Sequence, residues 1–259
     1  MVKKRLKKRK QWKYVLRRTV FLVVGLAALC FFGTWFSFQF SFQTGGYPAS
    51  LKSGDYPASL IELAEKNPEA VSFVKNYPNK KDYRGEIDVT KELTEGIPLL
   101  LQWDERWGYI RYGGDFLAVT GCGPTCLSMV WCGLNKKGIW SPDKVAEMAE
   151  KSGYYAQGQG SSWDLMTGGA GKLGLRAERV IFDEKHIKET LYQKKPIICA
   201  MGPGDFTTQG HFIVLTGIND DGKILLNDPN SRKRSGKSWD LKKVMPQIRN
   251  LWAYSLKTE

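Results

Sequence analysis

Between Thr19 and Leu51 the chain carries no charged residue, and Val20–Phe40 within it is rich in Val, Leu, Ala and Phe. Twenty-one helical residues rise about 31 Å, which matches the roughly 30 Å hydrocarbon core of a bilayer. Ten of the first 18 residues are Lys or Arg and none is acidic. Basic residues flanking a span stay cytoplasmic, so everything after Phe40 is expected outside the cytoplasm. Trp35, Phe36, Phe38 and Phe40 then fall toward the outer interface, where aromatic rings are favoured. The alternative is a cleaved signal peptide. Bulky Phe and Gln stand where a small-x-small cleavage site is needed, so an uncleaved anchor at the cell membrane is the expectation.

The same tail explains the charge. Of the net +13, the ten basic residues at 1–18 hold +10, which leaves residues 19–259 at only +3. A nearly neutral body gives no reason to expect a nucleic-acid partner. A basic run beside a membrane span is attracted to anionic lipid instead.

The expected organisation is a basic cytoplasmic tail at 1–18, a transmembrane anchor at 19–41, a linker and short helical prelude at 42–96, and a catalytic-sized domain at 97–259. Residues 41–55 are rich in Gly, Ser, Thr and Gln, as suits a tether. Tyr-Pro-Ala-Ser-Leu occurs at 47–51 and again at 56–60, a local duplication. Two amphipathic helical patches flank Pro68. Further on, Ile97–Leu101 reads as a buried extended run. A helix is expected from Pro124 to about Leu134, and another over 141–151 with Ser141 as cap and Pro142 in the first turn. A third is expected from Ser161 or Ser162 to just before Gly174, and a fourth after Asp183 to about Gln193. Strands are expected at 175–181, 196–201, 211–218, 223–227 and 250–256. Helices first and strands later make an α+β fold rather than a βαβ repeat.

Five cysteines are present: Cys30 in the apolar stretch, then Cys122, Cys126, Cys132 and Cys199. Three of the last four crowd together, a poor spacing for a disulfide framework, so free thiols are expected. Cys122 sits in Gly121-Cys122-Gly123-Pro124-Thr125, where a loop becomes a helix. Unpaired N–H groups and the positive end of a helix dipole favour thiolate over thiol there. Gly121 and Gly123 are expected to allow a sharp turn and leave room for a substrate chain. A buried structural cysteine in a tight turn gives the same pattern. Cys126 and Cys132 fall inside the expected helix among apolar residues and read as core. No pairs of ligands suggest a metal site.

Only two histidines exist. His186 lies among charges and reads as a solvated surface residue. His211 follows a Gly-rich loop and opens the apolar run Phe212–Thr216, where a base can reach both a thiol and a substrate amide, and where a plain core histidine fits equally well. Asn219-Asp220-Asp221-Gly222 is a hairpin signal. A two-residue loop at 221–222 pairs 215 with 228, and a slip of one position at both ends pairs 213 with 228. Either register puts Asp228 on the face of His211, where a carboxylate orients the imidazole. As a plain turn residue before Pro229, Asp228 has no such role. For an oxyanion, the backbone N–H of Cys122 and the side chain of Gln102 are the candidate donors, though Gln102 also reads as a simple loop residue. Trp163, Tyr154, Tyr155 and Phe206 are either groove lining or core. Gly168-Gly169-Ala170-Gly171-Lys172 lacks the first Gly and the Ser or Thr of a phosphate loop, so neither ATP nor another cofactor is expected.

Taken in order, Gln102-Trp103-Asp104-x-Arg106-Trp107, Gly121–Thr125, Gly210–Val214 and Asn227-Asp228-Pro229 resemble the peptidase C-39-like domains of papain type. These are relatives of the bacteriocin-processing peptidases and include many bacterial surface proteins. The resemblance spans roughly residues 97–256. It implies a papain-like fold with a nucleophile-bearing helix on an antiparallel sheet. It also implies Cys122 as nucleophile, His211 as base, Asp228 as its orienting partner and Gln102 in the oxyanion hole. The gap from Gln102 to Cys122 is twenty residues, whereas the transporter-fused members keep it to a few. With no transporter ATPase in the chain, leader cleavage during export is not implied. The expected substrates are peptides or the peptide parts of peptidoglycan. Transpeptidation and binding without turnover are the competing readings.

Overall fold

A computed structural model describes residues 51, 54–82, 86–93, 95–158 and 160–257. The basic tail at 1–18 and the anchor expected at 19–41 lie outside the described residues. Among the described residues no helix is long and apolar enough to cross a membrane.

Two short helices come first, α1 (Ala58–Lys66) and α2 (Val71–Lys80), joined by a 3-10 turn at Pro68–Ala70. Asn67 caps that turn by accepting from the Glu69 N–H, and Pro68 suits its first position because it has no N–H to satisfy. Leu60, Leu63, Phe73 and Val74 from this pair bury against Leu101, Trp103, Tyr109 and Phe116. The Phe73 and Tyr109 rings stack at 4.2 Å, and the Tyr109 hydroxyl donates to the Phe73 carbonyl at 2.6 Å.

A small hairpin, β1 (Arg111–Tyr112) and β2 (Asp115–Phe116), leads through α3 (Leu117–Thr120) into α4 (Cys122–Asn135). Helix α5 (Pro142–Lys151) begins at the expected Ser141-Pro142 step. The Ser141 hydroxyl nevertheless pairs with the Asp143 carboxylate rather than a helix N–H. Strands β3 (Tyr155–Ala156) and β4 (Gly160–Ser161) follow.

The single helix expected over 161–173 is broken in two, a 3-10 turn at Trp163–Met166 and α6 (Gly168–Lys172). The reason is local. Gly168 and Gly169 are poor helix formers, and they lie so close to Tyr154 and Leu165 that a Cβ on either meets those side chains at 2.7 Å.

The rest is β5 (Leu175–Arg179), α7 (Glu184–Tyr192), β6 (Ile197–Met201), β7 (His211–Ile218), β8 (Ile224–Asn227), two one-turn helices α8 (Arg232–Ser235) and α9 (Leu241–Val244), and β9 (Ile248–Leu256). Five strands form one antiparallel sheet in the order β5-β9-β6-β7-β8. Both faces of its centre are covered. Ile198, Ala200, Phe212, Val214, Trp252 and Tyr254 pack on α4 and its neighbours, whereas Ile197, Cys199, Ile213, Leu215 and Leu226 pack on α7 and the segment 239–244. That is why β6 is apolar throughout rather than alternating. The fold is α+β, with α4 laid on an antiparallel sheet.

Candidate active site

Cys122 is the first residue of α4, with Gly121 at the cap position and Pro124 in the first turn. The turn is held by Gly121 N–H to the Leu117 carbonyl (2.8 Å), then by the Thr125 N–H and hydroxyl to the Gly121 carbonyl (3.0 and 2.7 Å). The two glycines are crowded by the chain itself. Gly121 has an ordinary φ of −89°. A Cβ there meets the Leu117 carbonyl oxygen at 2.4 Å, and one on Gly123 meets the Ser161 Oγ at 2.5 Å. Their small size lets the chain pack against itself. Ser161 in turn shares a buried hydrogen bond of 2.8 Å with the Tyr112 hydroxyl.

The β7–β8 hairpin departs from the two-residue loop. Ile218 pairs with Ile224 and the Asn219 N–H donates to the Lys223 carbonyl, so residues 220–222 form the loop, with Gly222 at φ +72°. That change alone advances the register by one and carries Asp228 to the wrong face. An irregularity between Leu215 and Gly217 advances it by one more, after which Leu215 pairs with Leu226 and Val214 with Asn227. One further step sets 228 across from 213. Two one-residue shifts thus restore the face that the sequence reading required.

The imidazole Nε2 of His211 lies 2.8 Å from Asp228 Oδ1, and both side chains are buried. Burial by itself pushes the His211 ring toward the neutral form. The charge and hydrogen bond of Asp228, then those of Cys122, outweigh it and raise its pKa. For Asp228, burial favours the protonated acid, but His211 and Arg234 outweigh it and hold the carboxyl below its usual range. With Nε2 engaged by Asp228, Nδ1 is the ring nitrogen left for the Cys122 side.

Gln102 bridges the two halves of this arrangement. Its backbone N–H donates to the Pro229 carbonyl at 2.8 Å, next to Asp228. Its Nε2 donates to the Ala118 carbonyl at 2.7 Å and stands 3.5 Å from that of Val119, in the turn leading to Cys122. Its Oε1 is buried without a hydrogen-bond partner. Reversing the amide would set that oxygen against two carbonyls, so the hydrogen-bond network fixes the orientation.

The remaining candidates separate cleanly. Cys126, Cys132 and Cys199 are buried free thiols, and burial raises each of them. His186 is half-buried at the surface, its Nδ1 2.6 Å from the Asp183 carboxylate. Phe206 is core, packed on Trp239, whereas Trp163 is 49% exposed. No group of three or more potential ligands able to hold a metal occurs among the described residues. Sequence reasoning passed over Arg234, whose Nε donates to Asp228 Oδ2. In Ser231-Arg232-Lys233-Arg234 three consecutive cations look like a solvated loop, and nothing in the spacing singles out the third.

A family model, the Peptidase_C39 like family, matches residues 94–258. The chain belongs to that family. The match agrees with the resemblance carried by the ordered motifs, and it takes in Gln102, Cys122, His211 and Asp228 together. Membership supports peptidase chemistry for the domain. No curated protein matches the chain.

Proposed function

We propose that this chain is a papain-like cysteine peptidase in which Cys122, His211 and Asp228 act as the triad, held outside the cytoplasm by the apolar segment at 19–41. The observation that carries the proposal is the buried His211–Asp228 hydrogen bond, with Cys122, which acts on the same imidazole, at the first residue of a 14-residue helix.

The Cys122 thiolate attacks the amide carbonyl, forming a C–S bond. The His211 imidazolium gives its proton to the departing amine as the C–N bond breaks. His211 then takes a proton from water, which attacks the thioester, and the C–S bond breaks to return thiolate and release a carboxylic acid. The Cys122 N–H, at the start of α4, has no intrahelical acceptor and serves the oxyanion. Gln102, its amide held beside the turn into Cys122 by the Ala118 carbonyl, is the second donor in this reading. Peptides or peptidoglycan peptides are the substrate class.

The test is iodoacetamide labelling of the folded protein at pH 6–7, read cysteine by cysteine, together with digestion of a mixed peptide library. Cys122 is expected to react far ahead of Cys126, Cys132 and Cys199. His211→Ala should slow it at least about tenfold, and Cys122→Ala should abolish cleavage. A Cys122 no faster than the buried cysteines, or indifferent to His211→Ala, overturns the proposal.

A further inference from the structure

The Asp228 carboxylate serves more than one partner. Oδ1 takes the His211 ring and the Asn230 N–H, both at 2.8 Å, and Oδ2 takes the Arg234 guanidinium. The carboxylate is fully buried, and Arg234 is only about a quarter exposed. Arg234 is not free to wander. It sits on α8, where the Ser231 hydroxyl accepts from its N–H at 3.0 Å. Ser235 Oγ accepts from the Asp228 N–H and donates to the Ser231 carbonyl. The α1–α2 connection braces the same turn. Asn67 Nδ2 donates to the Asn230 carbonyl at 2.7 Å, and Glu69 accepts from the Ser231 hydroxyl and the Lys233 N–H.

A base that cycles between imidazolium and imidazole poses a problem for its buried carboxylate. While His211 is neutral, Asp228 without another cation is an uncompensated buried charge, which is costly and holds the proton on the ring. A fixed guanidinium on the other oxygen removes that difficulty. We propose that Arg234 is a positioning residue of the site, keeping Asp228 ionised and oriented through both protonation states of His211 so that the ring can release its proton. The inference rests on the peptidase reading above.

Beyond each other, the groups that act most strongly on this pair are Cys122 from α4 and Arg234 from α8, and Cys126 on α4 also lies within reach of the Asp228 charge. Glu69 reaches the turn but not the carboxylate. Loss of one cation favours proton uptake by every group near it. The sign of the effect is therefore fixed.

The experiment uses the full chain in detergent, with imidazole NMR titration. The chain has two histidines, and His186 serves as an internal control. Arg234→Met should raise the His211 midpoint by about one unit and move both limbs of the Cys122 alkylation profile upward. Arg234→Lys, which keeps the charge, should bring the midpoint back close to wild type. If Arg234→Met does not fold, Arg234→Gln retains a donor for the carboxylate and should still shift the midpoint upward. A midpoint that stays put or falls in the folded Met or Gln variant overturns the inference. An inactive wild type whose His211 still shifts overturns the peptidase reading and leaves the role of Arg234 supported. An active wild type whose His211 does not shift overturns the role of Arg234 alone.

Discussion

His211 Nε2 and Asp228 Oδ1 meet at 2.8 Å from opposite limbs of one hairpin, 17 residues apart in sequence. The contact exists because a three-residue loop and an irregularity near Thr216 each move the register by one, in the same direction. Replacing the carboxylate keeps the shape and removes the charge. Asp228→Asn is expected to lower the His211 midpoint, the opposite sign to Arg234→Met, because an anion rather than a cation is lost. Peptide hydrolysis should fall by about 100-fold or more. Steady-state rates and NMR titration check both effects.

The same pair makes stability depend on pH. His211 is raised above its ordinary 6.5, so its contribution is complete below that pH and is lost as the pH climbs through the higher folded value. Asp228 is held below its ordinary 3.8, so its contribution is complete above that pH and fades as the pH falls toward the lower folded value. Urea unfolding of wild type and His211→Gln should therefore differ most between about pH 4 and 6.5. The difference should narrow at pH 9, and a gap that stays constant from pH 4 to pH 9 counts against the pair.

Gly123→Ala places a methyl group 2.5 Å from the Ser161 Oγ and 2.7 Å from its Cβ. Neither neighbour is the loose end of a long side chain. A loss of about 1–3 kcal/mol is expected from overpacking, along with slower Cys122 alkylation as the turn is displaced. Ser161→Gly in the same chain removes both clashing atoms and should recover part of each loss, in thermal melts and in labelling rate.

The segment at 19–41 is proposed as an uncleaved anchor. Sodium carbonate extraction of cells expressing the full chain should leave it in the membrane pellet. Protease added to intact cells stripped of their outer layers should reach the domain. Recovery of the chain in the carbonate supernatant sinks the anchor.

Much of the scaffold was legible residue by residue. The Ser141-Pro142 step marked the start of α5. Asp183 marked that of α7 and does cap it, accepting from the His186 N–H at 2.8 Å. The β7 run was bounded by Gly210 and Asn219, and its apolar residues left little choice of conformation. Where several glycines met, the expected helix failed. The helix expected across 161–173 broke at Thr167, just ahead of Gly168 and Gly169, two poor helix formers whose close approach to Tyr154 and Leu165 leaves no room for a Cβ.

By itself the sequence determined that a helix begins at the Cys122 turn, expected from Pro124, and that His211 opens a strand. Both follow from cap chemistry and apolar pattern, which act over a few residues. It also limited the choice of base, because His186 sits among charges and His211 does not. The tertiary structure alone decided three things: the register that brings Asp228 to His211, the crowding that requires glycine at 121 and 123, and the seating of Arg234 on the far side of the carboxylate. Register, close approach and a buried ion pair each join residues from separate elements. The free energy that selects them comes from packing and desolvation, which no local stretch of sequence contains.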